Sequence, residues 1–247
     1  DSVTVDNLIS GTGKLTMKGT GILNLRNANT YTGTTTVNAG TLTFSGSGKT
    51  AVPGSVIVNS GAVLRLDRND TWGTADSTAS CSLTLNSGAT LRSNNSFNSF
   101  WGLVLNGGSV QCNGGANTSL RSFQLSGTLS VTDNASISDI GGSNNGIHIG
   151  GNGAPDLTIS VNSGKTLSIA STVMNSANYS PNGINKTGAG TLLLIGNNTF
   201  SGPVTITAGT IRAGHVNAFG LSAITVKSGA TLNKGGFPVT NTVVVEP

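Results

Sequence analysis

Charged and aromatic residues are scarce in this sequence. Asp, Glu, Lys and Arg make up 9% of its 247 residues, and Phe, Trp and Tyr make up 4%. No run of eighteen apolar residues occurs, which excludes a membrane-spanning helix, and no stretch has the i, i+3, i+4, i+7 apolar spacing of an amphipathic helix. The 13 basic residues give a net charge of +4 but form no cluster interleaved with aromatics, so we expect no nucleic-acid partner.

The nine acidic residues offer little material for catalysis. Polysaccharide lyases and hydrolases need paired carboxylates or an acidic cluster that binds Ca²⁺. Asp67 and Asp70, followed by Asp76, are the one local concentration of acids, and this stretch predicts a polar loop in which Asp and Asn serve turn geometry. A cation site is the alternative for the same stretch. We therefore expect no catalytic residue, no cofactor, no bound metal and no enzymatic activity.

Histidine and cysteine are rarer still, with two residues of each type. His148 alternates with apolar neighbours and is predicted to point outward from a strand, whereas His215 lies in a predicted loop. Neither has the neighbours that a catalytic triad needs. Cys81 and Cys112 share the parity of inward-facing neighbours, which predicts buried free thiols. A disulfide is the alternative in an oxidising compartment, whereas metal binding lacks supporting His spacing.

Glycine is abundant, with 36 residues, and much of it belongs to one recurring motif. An aliphatic residue, a polar residue, a small residue and Gly, followed by further aliphatic residues, return at 37–44, 58–66, 85–93, 105–113, 161–169 and 226–234. Apolar residues alternate on both sides of the glycine, which is the period of a β-strand. Two short strands joined by a tight turn, returning about every twenty residues, indicate a β-solenoid.

The turn glycines set the expected number of coils. We take them as Gly40, Gly61, Gly88, Gly108, Gly127, Gly164, Gly209 and Gly229. The prediction is an all-β, single-chain parallel β-solenoid of about eleven coils, one continuous domain over residues 1–247 with looped-out insertions near 67–80, 132–156 and 170–190. Stacked Asn and Thr side chains are expected to pair along its outside. Disorder is disfavoured because 36% of the chain is hydrophobic and follows the strand period.

Two segments resemble a known family. Residues 18–42 and 186–211 each carry a Lys, a Gly-x-Gly, alternating leucines, an Asn-Thr-aromatic-x-Gly and an Ala-Gly-Thr, with one extra residue near the start of the second segment. This pattern resembles the autotransporter-associated β-strand repeat, or passenger-associated transport repeat, of bacterial type V secretion passenger domains. The resemblance implies a right-handed parallel β-helix displayed outside the cell. We therefore expect an extracellular or bacterial cell-surface protein.

The aromatic residues suggest a contact surface. Trp72 lies in the polar loop and Trp101 follows about one coil later, so both are candidates to emerge on one side of the rod and contact a sugar ring or a protein partner. Phe97 and Phe100 are candidates to join them. The alternative is that these large side chains cover or fill the core where loops leave it.

Three functions follow as hypotheses. The first is a non-enzymatic structural surface protein that associates with itself end to end, because strand-like termini expose sheet edges. The second is an adhesin-like passenger that binds carbohydrate or a host surface, with surface polysaccharide as the partner and Trp72 and Trp101 as contacts. The third, a polysaccharide lyase or hydrolase, is disfavoured by the missing acid cluster.

Overall fold

Short strands and tight turns make up the chain, as the period-two apolar pattern predicts. A computed structural model describes residues 1–46, 54–72, 82–116, 121–151, 153–176 and 181–247. Within these ranges no residue is helical. The same ranges contain no helix long and apolar enough to cross a membrane.

Nearly all described strands belong to two parallel sheets. Sheet A comprises β1 Ser2–Val5, β3 Ile22–Leu25, β5 Thr41–Phe44, β7 Val63–Leu66, β9 Thr90–Ser93, β11 Ser109–Asn113, β13 Ala135–Gly141, β16 Thr166–Ile169, β19 Thr191–Leu194, β21 Thr210–Ala213 and β23 Thr231–Asn233. Sheet B comprises β2 Leu15–Met17, β4 Thr35–Val37, β6 Val56–Val58, β8 Leu83–Asn86, β10 Asn98–Asn106, β12 Phe123–Asp133, β15 Leu157–Val161, β18 Ile184–Thr187, β20 Val204–Ile206, β22 Ile224–Val226 and β24 Val243–Val245. Two further strands, β14 Ile147–Ile149 and β17 Val173–Asn175, continue from the first half of β12.

The chain winds from one sheet to the other, and each strand pairs in parallel with its counterpart one turn later. This arrangement confirms the predicted all-β parallel β-solenoid. Among the described strands, each sheet has eleven members along its main path, in agreement with the expected number of coils.

Inward side chains stack in rows along the axis. Val56, Leu83, Leu103 and Leu129 occupy paired positions on four successive strands of sheet B, and each is at most 2% exposed. Burial of one such side chain contributes about 1.5–3 kcal/mol. Because each row is built from successive turns, every turn depends on its neighbours for stability.

The motif glycines make the turns between sheets B and A. Between β6 and β7 the Ala62 amide donates to the Asn59 carbonyl at 3.0 Å, and Gly61 has a φ of 75°. Gly88 repeats this geometry one turn later with a φ of 76°. A positive φ at the third position of a β-turn favours glycine, which explains why the motif keeps one there.

Asparagines next to these turns form a ladder on the outside, which confirms the expected stacking. The Asn ladder consists of Asn38, Asn59, Asn86 and Asn106. Asn59 Nδ2 donates to Asn38 Oδ1 at 2.7 Å, Asn86 Nδ2 donates to Asn59 Oδ1 at 2.7 Å, and Asn106 Nδ2 donates to Asn86 Oδ1 at 3.1 Å. The hydroxyl of Thr132 donates to Asn106 Oδ1 at 3.0 Å and extends the ladder by one turn.

Two predictions about the middle of the chain are wrong. Gly127 is not a turn glycine, because it lies inside β12, and the turn that follows β12 is made at Asp133 and Asn134. Likewise, the segments 132–156 and 170–190 are not looped out, since they contain β13, β14, β17 and β18. These strands are polar or short, so their apolar period is weak. Of the insertion expected near 67–80, residues 67–72 form a loop and 73–80 lie outside the described residues.

The additional strands form a third, smaller surface of the solenoid. The corner sheet consists of residues 98–100 of β10, residues 123–125 of β12, β14 and β17, paired in that order. Residues 96–100, 122–126 and 146–151 are buried throughout, including those that point away from the core. The corner sheet is therefore covered on both of its faces along these three segments.

Candidate functional site

The loop that carries Trp72 docks onto the next turn of the solenoid. Asn98 Oδ1 accepts the Trp72 amide at 3.0 Å, and Asn98 Nδ2 donates to the Arg68 carbonyl at 3.0 Å. In return, Asn69 Oδ1 accepts the Phe97 amide at 2.9 Å. These reciprocal bonds join residues 68–72 to residues 97–98 of the next turn, so Asn69 makes a contact between two turns of the solenoid.

Trp72 lies in the core and is 1% exposed. Its ring centroid is 5.0 Å from that of Phe100, which is 5.8 Å from that of Phe123. Tilted rings at this spacing stabilise each other beyond the apolar area that they bury. Of the two alternatives for Trp72, the structure favours core cover, and its indole is not presented to a partner.

Trp101 differs from Trp72 because it remains partly exposed. Its indole lies on Gly127, where an added Cβ would come within 3.0 Å of the ring atoms Cδ1 and Nε1 and 2.3 Å of the Trp101 carbonyl oxygen. Gly127 also has a φ of 69°. Glycine at this position therefore makes room for the ring. Phe97 and Phe100 are buried at 2% and 1% exposure, so Trp101 is left as the candidate for surface contact.

The prediction that His148 points into solvent is wrong, because the residue is only 2% exposed. It belongs to β14 of the corner sheet, and its ring centroid lies 6.3 Å from that of Phe97. Burial, with a smaller contribution from the charge of Arg121, lowers the pKa of His148 to about 4. The imidazole is therefore neutral at physiological pH.

His215, by contrast, lies in a loop as predicted, and its Nδ1 accepts the Asn217 amide at 3.0 Å.

Cys112 is a free thiol with no exposed surface. This confirms the prediction of a buried free cysteine at this position. Burial raises its pKa to about 11, so the thiol stays protonated at neutral pH and is a poor nucleophile. The Ser171 hydroxyl lies 3.4 Å from its sulfur and donates to the carboxylate of Asp139. Partial burial raises the pKa of Asp139. Cys81 lies outside the described residues.

At least six of the eight described carboxylates are engaged in structural contacts. Asp67 accepts from Arg65 at 2.7 Å, Asp133 accepts from Lys165 at 2.7 Å, and Asp156 accepts the Gly183 amide at 2.7 Å. Lys165 lowers the pKa of Asp133. Within the described ranges no group of three or more His, Cys, Asp or Glu side chains is placed to hold a metal ion. Asp76, the third acid of the predicted loop, lies outside these ranges.

Lys186 is an internal charge that the sequence-based predictions above do not include. It is 0% exposed, and its stem lies in the inward row between Ile159 and Ile206. Its Nζ donates to the carbonyls of Thr187 at 2.7 Å, Gly188 at 2.8 Å and Ala208 at 3.2 Å. Burial lowers its pKa to about 8. The available sequence signal is its inward parity within the strand INKT.

Comparison with known proteins identifies the repeats. The profile described as passenger-associated-transport-repeat matches residues 15–44 and 184–213. The chain is also 32% identical over 271 aligned residues to the adhesin BmaC autotransporter of Brucella suis biovar 1 (strain 1330). That alignment covers 92% of this chain and 8% of the relative, so the chain spans a small part of the relative's length. No solved structure shows a significant match to this chain.

The two matched segments have equal length, so their residues correspond one to one. Lys186 thereby corresponds to Met17 rather than to Lys18, which corrects the extra residue assumed from the sequence. Asn29 and Asn198 also correspond, and both are buried with an Oδ1 that accepts a backbone amide, that of Ile9 at 2.9 Å and that of Val173 at 2.8 Å respectively.

The aromatic position of the motif is buried in both copies, with Tyr31 2% exposed and Phe200 0% exposed. The Tyr31 and Thr35 hydroxyls are hydrogen-bonded at 2.5 Å. The motif side chains are therefore parts of the core and of the turn connections, in agreement with a repeat that encodes solenoid turns. This chain therefore carries two copies of the passenger-associated transport repeat, and along 92% of its length it is similar to an adhesin autotransporter.

Proposed function

We propose that this chain is a β-solenoid segment of an adhesin-like autotransporter passenger, secreted and exposed at the bacterial cell surface. The observation that carries the proposal is the similarity along 92% of the chain to a protein described as an adhesin autotransporter. The fold supports it, because eleven described strands per sheet at about 4.8 Å spacing give a rod roughly 50 Å long. Such a rod exposes a large lateral surface to partners.

A non-enzymatic role is part of the proposal. Glycoside cleavage needs two carboxylates about 5–10 Å apart on either side of a bond. At least six of the eight described acids are instead bonded to Arg, Lys, Ser or backbone groups. Incubation with plant or bacterial polysaccharides should therefore release no unsaturated or reducing sugar. Release of either product would contradict this part of the proposal.

Binding to cells and glycans is the direct test of the adhesin role. Beads coated with the purified chain should bind a host-cell layer or a glycan array, and uncoated beads should not. Trp101→Ala removes the partly exposed indole, whereas Leu193→Ala removes a partly exposed aliphatic side chain from the outer face of sheet A. A loss of binding with the first variant alone places the contact near Trp101. Absence of binding to every cell type and glycan would contradict the adhesin role.

End-to-end self-association is a second candidate, supported by the terminal strands. Val3 in β1 is 58% exposed and Val245 in β24 is 74% exposed. Among the described strands, β24 pairs with β22 alone, and the Glu246 amide donates to Val226 at 2.9 Å, so the Val245 amide points to the open edge. Val245→Pro removes that donor and should abolish elongation seen by light scattering or negative-stain microscopy. Particles that never elongate would contradict this candidate.

A further inference from the structure

The outer face of sheet B carries no charge along most of its length. The central row of this face consists of Thr36, Ile57, Thr84, Val104, Ser130 and Ser160, which occupy paired positions on six successive strands. All six are partly exposed. The Asn ladder runs beside this row. Among the described strands from β4 to β20, the outward residues of sheet B are hydroxyls, amides, aliphatic residues or glycine, with two exceptions. These are Trp101 on β10 and Asp133 at the end of β12, whose carboxylate is paired with Lys165.

The outer face of sheet A has a different character. Arg65 and Arg92 lie opposite each other on β7 and β9, and Arg212 follows on β21. Removal of a charged group from water costs several kcal/mol, which even an ion pair often does not offset. The outer face of sheet B can be covered without that cost, so it is the better of the two faces for burial against another surface.

The spacing of the central row restricts the kind of partner. Its side chains repeat at the strand separation of about 4.8 Å. A partner surface whose repeat differed by about 0.5 Å would be half a period out of register after about five strands. A second copy of this chain has the same repeat, so each hydroxyl of one row can face an equivalent group at every turn.

The area of the face suits a pair of copies. Nine strands of sheet B, from β4 to β22, extend over roughly 40 Å, and apart from β10 and β12 each strand is three to five residues long, or about 10–17 Å. At a mean width of about 13 Å the face covers about 500 Å² per copy, or about 1,000 Å² for the pair. This total reaches the lower limit of about 1,000 Å² for a specific interface.

We propose that the outer face of sheet B is a lateral self-association surface on which a second copy of this chain packs face to face. The occupant is another solenoid with the same repeat, held by hydroxyl and amide hydrogen bonds around Ile57 and Val104. This surface is distinct from the terminal edges, and its central row does not include Trp101.

Sedimentation equilibrium of the purified chain tests the proposal. The wild-type chain should show a concentration-dependent rise in mass from one copy to two. The double variant Thr84→Lys/Val104→Lys places two like charges on adjacent strands of the central row and should weaken association by at least about tenfold. The matched control Ser136→Lys/Ser168→Lys adds the same charges to adjacent strands of sheet A and should associate like the wild type.

Three outcomes would overturn the proposal. A wild-type chain that remains a single copy at high concentration would do so directly. Association that survives Thr84→Lys/Val104→Lys and is abolished by Val245→Pro would assign it to the terminal edges instead. Loss of glycan or cell binding in the Thr84→Lys/Val104→Lys variant, with no self-association in the wild type, would assign the face to a different partner. The adhesin role is measured separately by bead binding, so either proposal can fail alone.

Discussion

Lys186 fills the place in the second transport repeat that Met17 fills in the first. Both are buried, and both side chains are unbranched and of similar length. In Lys186 the terminal group is an ammonium that donates to three carbonyls of two successive turns. The two residues show that this inward position accepts a long flexible side chain with either an apolar or a cationic end.

Substitution of Lys186 by Met should therefore be tolerated. Replacement of a buried charge by an apolar side chain of similar volume is often neutral, so we expect a change of less than about 1 kcal/mol in the free energy of unfolding. Lys186→Ala leaves a cavity and should cost about 2–4 kcal/mol. Urea denaturation followed by circular dichroism measures both values. Equal losses in the two variants would show that the ammonium contacts, rather than the volume, stabilise this position.

The pH dependence of stability should reveal Lys186 as well. Its pKa is about 8 in the folded chain and 10.5 in the unfolded chain. Between these values the unfolded chain retains a proton that the folded chain has lost, so stability rises with pH in this window. The wild-type chain should gain stability relative to Lys186→Met between pH 8 and pH 10. A constant difference between the two proteins over this range would contradict the lowered pKa.

Acid should destabilise the corner sheet through His148. The pKa of His148 is about 4 in the folded chain and 6.5 in the unfolded chain, so only the unfolded chain binds the proton in between. Stability should fall by up to about 2–3 kcal/mol as the pH drops from 6.5 to 4. In His148→Gln this component is absent, and unfolding curves at pH 7 and pH 4.5 measure it. His215→Gln, which changes a loop histidine, is the control and should keep the wild-type pH dependence.

The Asn ladder should contribute measurably to stability. Asn86→Ala removes one bond to Asn59 and one from Asn106, and we expect a loss of about 1–2 kcal/mol. Asn162 occupies the same motif position, is exposed, and has no side-chain hydrogen bond in the described structure. Asn162→Ala should therefore cost less than about 0.5 kcal/mol. If both variants lose the same stability, the ladder bonds do not stabilise the fold.

The sequence is sufficient to predict the fold because inward-facing apolar residues alternate with outward-facing residues along each strand. Alternation in VIVNSGAVLRL places Val56, Val58, Leu64 and Leu66 inside, and the structure buries all four. The glycine of the same motif marks a turn that needs a positive φ. Where both signals coincide, as at Gly61 and Gly88, strand and register follow from local sequence.

The middle of the chain follows neither signal, and the sequence-based predictions there are wrong. Gly127 has the positive φ of a turn glycine but serves to accommodate Trp101 within a strand. His148 alternates like an outward residue, yet the corner sheet is buried on both faces. Whether an outward face is buried depends on contacts with segments distant in sequence. The alternation of apolar residues along a strand gives no information about those contacts. The burial of Trp72 and the internal position of Lys186 also depend on tertiary packing.

The central claim is that each turn of the chain adds one strand to a continuous parallel stack. Spin labels on outward positions of sheet B measure this directly by pulsed electron resonance. Thr36 and Ser130 are four strands apart, and Thr36 and Thr205 are seven strands apart. At about 4.8 Å per strand the expected separations are roughly 19 Å and 34 Å. Distances that do not increase with the number of intervening strands, as in a two-layer sandwich, would contradict the solenoid.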